Sequence, residues 1–226
     1  MADDWRPLPR HTKLNYDECY AKVVLERFFP NEYQALQLSD RPDLRTKDGK
    51  VGVEVTSAIP QERQEALAIA SEIPYCNPDD QKKKVDYLKK NGYEYTQYGM
   101  FGPMRTCRSL GLAYPDIENT FCKDFISAVK KKLQKLNSRT YDLLPRYNLF
   151  VQAEIGVEDW MPPKLLERLC QLSTWQYNFD FIYLLDLKGL FVFDITAHKY
   201  SVKETGEKLW GLGEIARKMV EEEERK

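Results

Sequence analysis

Residues 41–57 read Arg-Pro-Asp-Leu-Arg-Thr-Lys-Asp-Gly-Lys-Val-Gly-Val-Glu-Val-Thr-Ser. Asp48-Gly49 is a strong hairpin-turn signal, and the residues after it alternate in the two-residue period of a strand. On such a strand Val51, Val53 and Val55 share one face, and Glu54 and Thr56 share the other. A partner strand near Asp43 brings its carboxylate towards that of Glu54. Two convergent carboxylates suit a hard divalent cation such as Mg²⁺, with water and substrate phosphate completing the octahedron. A site of that kind points to metal-dependent phosphodiester cleavage.

Around this hairpin the chain alternates helical and strand patterns. Asn15-Tyr-Asp-Glu18 fits a capping box and predicts a helix over 16–29, with Tyr20, Val23, Val24 and Phe28 inward and Pro30 as its stop. A short strand is expected over 33–38, then the hairpin arms 41–44 and 51–57. Phe121, Phe125, Val129, Leu133 and Leu136 recur at helical spacing and predict a helix over 118–136. A strand follows at 147–155. Pro162-Pro163 opens a helix to 172. Strands are expected at 179–187 and 190–196, and a final helix over 202–222. Helices separated by strands predict an α/β fold, a mixed sheet flanked by helices. The stretch 58–117 interrupts this pattern and reads as a basic, aromatic helical insertion into a single domain of 226 residues, with helices at 61–72 and 80–90.

Composition narrows the function classes. Net charge is −1, so any nucleic-acid surface is a local patch and not a global field. Five scattered cysteines without a Cys-x-x-Cys pair argue against a disulfide framework or a structural zinc site, and point to reduced thiols in the cytoplasm. Only two histidines occur, His11 and His198, which argues against a histidine-based nuclease centre. No apolar run has the length of a membrane span, and the N-terminus lacks a signal-peptide pattern. There is no P-loop and no Gly-x-Ser-x-Gly elbow.

The order α-β-β-β-α-β, together with Pro42-Asp43, a ten-residue gap and Glu54-Val55-Thr56, resembles the PD-(D/E)XK superfamily, the restriction-endonuclease-like fold. The resemblance spans residues 16–155 with the insertion set aside. It implies a Mg²⁺-dependent nuclease, with Mn²⁺ as the alternative ion, in which Asp43, Glu54 and the Val55 carbonyl hold the metal. The family's motif lysine would stand at position 56, which is threonine here. Some members supply that lysine from the following helix, where Lys130, Lys131, Lys132 and Lys135 occur. Lys132 falls on the otherwise apolar face, so its ammonium must snorkel or meet an acid; Lys135 is the second choice. The family often adds an acid from the first helix, for which Glu26 is the candidate. Gln152 and Glu154 share a strand face and are expected to line the same cleft.

Lys82, Lys83, Lys84, Lys89, Lys90, Arg105 and Arg108, interleaved with tyrosines, form the candidate nucleic-acid surface, since cations neutralise phosphates and rings stack on bases. The expected partner is nucleic acid, DNA before RNA. A homodimer is among the expected states, because many nucleases of this fold pair to cut two strands. The rival reading is a catalytically degenerate nuclease fold that binds nucleic acid or protein, and the Thr56 departure favours it.

Overall fold

Seven strands organise the larger of two compact units, residues 11–59 and 118–226. They are β1 (Gln37–Leu38), β2 (Leu44–Arg45), β3 (Val51–Ser57), β6 (Arg146–Gln152), β7 (Phe181–Leu185), β8 (Gly189–Asp194) and β9 (Lys199–Glu204), and they lie side by side in that order in one mixed sheet. The three central strands β3, β6 and β7 are parallel, while both flanks are antiparallel. The helices of this unit are α1 (Tyr16–Phe28), α4 (Ile117–Leu136), α5 (Met161–Gln171) and α6 (Leu212–Glu224). The computed structural model describes residues 7–9, 11–99, 106–112, 117–138, 144–153, 157–172, 175–186, 189–209 and 211–226.

The central strands are buried on both faces, as parallel strands between helices must be. On one face Phe121, Phe125, Val129 and Leu133 of α4 and Leu165 and Leu169 of α5 pack on Leu149, Val151, Ile182, Leu184 and Phe193. On the other face α1 packs against α6 and β3. There Tyr33 and Tyr183 share a hydrogen bond of 2.8 Å between their hydroxyls, and Asn148 Nδ2 donates to Tyr33 Oη at 2.5 Å. Burial drives both phenols far up from their ordinary value, so they remain neutral hydrogen-bonding groups inside the core. No helix among the described residues is long and apolar enough to cross a membrane.

The second unit comprises residues 1–10 and 60–117. Its helices are α2 (Gln61–Glu72) and α3 (Pro78–Lys90), joined by a 3₁₀ turn, and its strands β4 (Tyr93–Gly99) and β5 (Thr106–Leu112) pair antiparallel. Ala66, Ala70, Ile73 and Leu88 form a small core against which Tyr93 and Tyr95 pack. The helices expected at 61–72 and 80–90 correspond to α2 and α3, and the stretch after them is a hairpin. Tyr93 and Tyr95 alternate at strand period, and their β propensity builds a hairpin where the sequence suggested turns.

Two further expectations need correction. The strand expected over 33–38 shrinks to Gln37–Leu38, because Tyr33 turns inward as a core residue and is fully buried. The final helix does not begin at 202: Lys199–Glu204 forms the edge strand β9, a 3₁₀ turn covers Gly206–Leu209, and α6 starts at Leu212 after Gly211, whose φ of 77° a glycine adopts without strain. Every residue of β9 is exposed, and Tyr200 and Val202 alone carry its alternation.

Candidate functional site

The hairpin register builds the site. Leu44 pairs with Val53, and one residue further this antiparallel register sets Asp43 across from Glu54. Asp43 stands just before β2, and its Oδ2 accepts a hydrogen bond of 2.6 Å from the Val55 backbone N–H. In a strand the N–H and C=O of one residue point to the same edge, so the Val55 carbonyl is directed to the Asp43 side of β3. Gly52 allows this close approach: a Cβ there would lie 2.5 Å from Pro42 Cγ and 2.9 Å from Leu144 Cδ1.

Glu54 points towards α4 from the centre of the sheet and is only 1% exposed. The apolar stripe of α4 carries Lys132 to it. Lys132 Nζ donates to Glu54 Oε2 at 2.6 Å and to Asp43 Oδ2 at 3.0 Å. Burial by itself would lower the ammonium pKa, but attraction to Glu54 and then Asp43 outweighs it, and the net shift is upward. Lys132 is therefore a fixed cation at neutral pH and not a base. The other oxygen of Glu54, Oε1, is buried without a hydrogen-bond partner among the described residues. An orphaned buried carboxylate oxygen is costly, and a cation is the group that would relieve it.

A third carboxylate is coupled to this pair. Burial, and then the negative charge of Asp43, push Glu18 up to about 7; Lys132 opposes the shift and Glu54 adds to it. Glu18 lies on the first turn of α1. The side chain of Asn15 caps that helix through the Asp17 N–H at 2.8 Å, while Glu18 takes part in the charge cluster. Sequence reasoning missed Glu18 because the capping-box pattern had already assigned it. A signal was present: Glu18, Lys22 and Glu26 recur at four-residue spacing on one stripe of α1.

The structure does not bring every expected residue to this place. Glu26 has other partners: its Oε1 accepts from Lys22 Nζ at 2.5 Å and from the Leu36 N–H at 2.8 Å, which ties the end of α1 to the segment before β1. Lys135, three residues beyond Lys132, is exposed and makes no ion pair with Asp43 or Glu54. Gln152 ends β6 opposite Ser57, and Glu154 lies outside the described residues. On α3, Lys82, Lys83, Lys89 and Lys90 are exposed; Lys83 pairs with Asp80 at 3.2 Å, and Lys84 pairs with Glu72. Arg108 lies on β5 opposite Gln97, and Arg105 lies outside the described residues.

Among the described residues no three His, Cys, Asp or Glu side chains stand together in a metal-holding group. The donor set at Asp43 and Glu54 is nonetheless all oxygen and carries excess negative charge. Both properties fit Mg²⁺, which takes one or two carboxylates from a protein and completes its shell with water and phosphate. Comparison of the chain with family models, with curated proteins and with solved structures finds no match.

Proposed function

We propose that this protein is a Mg²⁺-dependent nuclease with a restriction-endonuclease-like core, and that Asp43, Glu54 and Lys132 form its centre. The observation that carries the reading is the single ammonium shared by two carboxylates, one of which keeps a buried oxygen without a partner among the described residues. Asp43, Glu54 and the Val55 carbonyl would hold the ion, with Glu18 next to them. A bound Mg²⁺ would supply a water of lowered pKa and neutralise phosphate charge.

The protein's own groups have separate tasks in this reading. The Val55 N–H fixes the rotamer of Asp43. Lys132, held protonated by its two carboxylates, places positive charge where a phosphoryl oxygen gains negative charge, and so takes the part of the lysine absent at Thr56. It acts as an electrostatic stabiliser, because its raised pKa disfavours proton abstraction. The exposed α3 lysines Lys82, Lys89 and Lys90 would meet phosphates of the nucleic acid, with DNA the preferred partner.

A second reading has its own observation. Lys132 already neutralises Asp43 and Glu54 internally, as a structural ion triad would in a fold that binds without cutting. Calorimetric titration of Mg²⁺ and Mn²⁺ into wild type and Asp43→Ala/Glu54→Ala separates the two. Binding that disappears in the variant supports the nuclease; no binding in wild type, with a nucleic acid present, refutes it.

A further inference from the structure

At the far edge of the sheet a second, smaller cavity of ≈ 350 Å³ is lined by Arg27, Phe28, Lys203, Glu204 and Lys208. The three cations come from three elements: the last turn of α1, the edge strand β9 and the 3₁₀ turn after it. None of the three is within ion-pairing distance of a carboxylate among the described residues. Lys203 is positioned by a ring, its Nζ lying 4.9 Å from the centroid of Phe29. Three cations facing one carboxylate leave a surplus of two positive charges at a protein whose net charge is −1.

Helix C-termini attract cations, and Arg27 satisfies that preference for α1. The preference accounts for Arg27 alone, since Lys203 and Lys208 belong to no α-helix. The larger cavity near Lys47 differs in this respect. There Lys50 pairs with Asp48 and Arg146 with Glu32, so its charge is largely spent internally.

We propose that the Arg27–Lys203–Lys208 cavity binds a phosphate-bearing ligand of nucleotide size. Arg27 would grip phosphate oxygens through two N–H groups, the two lysines would act as point charges, and Phe28 offers an aromatic wall for a base. The volume lies within the range of small-ligand sites. β9 is four strands from β3 in the sheet, a separation of about 19 Å at ordinary strand spacing. One phosphate therefore cannot serve both Glu54 and this cavity. The proposal is independent of nuclease activity.

The test uses the full chain in EDTA, so that no cleavage occurs. Titration calorimetry is run with a nucleoside diphosphate and, separately, with a single-stranded octanucleotide. The proteins are wild type, Arg27→Gln/Lys208→Gln, and the charge-matched control Lys123→Gln/Lys218→Gln; circular dichroism confirms folding of each. The expected result is saturable binding that weakens at least about tenfold in the first variant and is unchanged in the control. Diphosphate binding that the variant weakens identifies a free nucleotide as the ligand source, and octanucleotide binding alone that the variant weakens identifies a strand backbone. No binding of either probe by wild type overturns the proposal, as does binding that Arg27→Gln/Lys208→Gln leaves unchanged, or equal weakening in the control.

Discussion

Lys132→Met removes one charge from the triad and leaves the volume of the side chain nearly intact. In wild type the ammonium is 2.6 Å from Glu54 and 3.0 Å from Asp43, and its side chain is 13% exposed. An ion pair at about 4 Å contributes about 4 kcal/mol at an effective dielectric constant of about 20. Relief of the lysine's own desolvation returns part of that loss. Breaking a buried pair from one side usually costs about 3–5 kcal/mol, and we expect about 3 kcal/mol at pH 8. The variant escapes the penalty by protonating Glu54. A carboxyl whose folded pKa rises above its unfolded value favours folding below the unfolded pKa, and that benefit disappears as pH climbs through the folded value. The loss should therefore shrink to about 1 kcal/mol near pH 5, since uptake of one proton contributes about 1.4 kcal/mol for each pH unit over which it occurs. Urea unfolding of wild type and variant at both pH values measures it. A loss below about 1 kcal/mol that does not change with pH would mean that the triad behaves as an exposed ion pair, and would refute the reasoning. Lys132→Met/Glu54→Gln should regain most of the stability at pH 8.

Glu18→Gln should stabilise the protein by about 1 kcal/mol at pH 8 and by almost nothing at pH 4. The raised pKa of Glu18 penalises folding as pH rises from 4.5 to about 7, and the figure is discounted because the group is half-buried; thermal melts at the two pH values decide it. Gly52→Ala should cost about 1–3 kcal/mol, because its Cβ would lie 2.5 Å from the Pro42 ring and something must shift. Unchanged stability would mean that Pro42 yields freely. Tyr33→Phe should cost about 1–3 kcal/mol in urea unfolding, since Asn148 Nδ2 and the Tyr183 hydroxyl each lose a buried partner.

The parts of the site legible in sequence were those set by local pattern. Asp48-Gly49 with alternating valines located β2 and β3, and Lys132 stood out as a charge on an apolar helix stripe. Glu18 was not legible. Its role depends on where the first turn of α1 lies relative to β2 and β3, which is a tertiary fact, while its local signal matched a helix cap. The partners of Glu26 were not legible for the same reason: nothing local says that the end of α1 is tied to Leu36. β9 escaped because its alternation is only two residues long, Tyr200 and Val202, and the charged Lys203 and Glu204 that follow fit an exposed helix face equally well. Fully buried Glu54 shows the converse limit. Alternation predicts a polar residue facing water at that position, and only the helix laid over it makes the carboxylate a buried charge.

Cleavage itself is the most direct measurement of the proposed centre. Wild type, Asp43→Asn, Glu54→Gln and Lys132→Met, each verified as folded, are incubated with mixed DNA and RNA substrates in Mg²⁺ and, separately, in EDTA. We predict Mg²⁺-dependent cutting by wild type that falls at least about a hundredfold in each variant, the size expected for loss of one transition-state contact. No cutting by wild type, or cutting that persists in the Lys132 and Glu54 variants, would contradict the assignment of the triad as a catalytic centre.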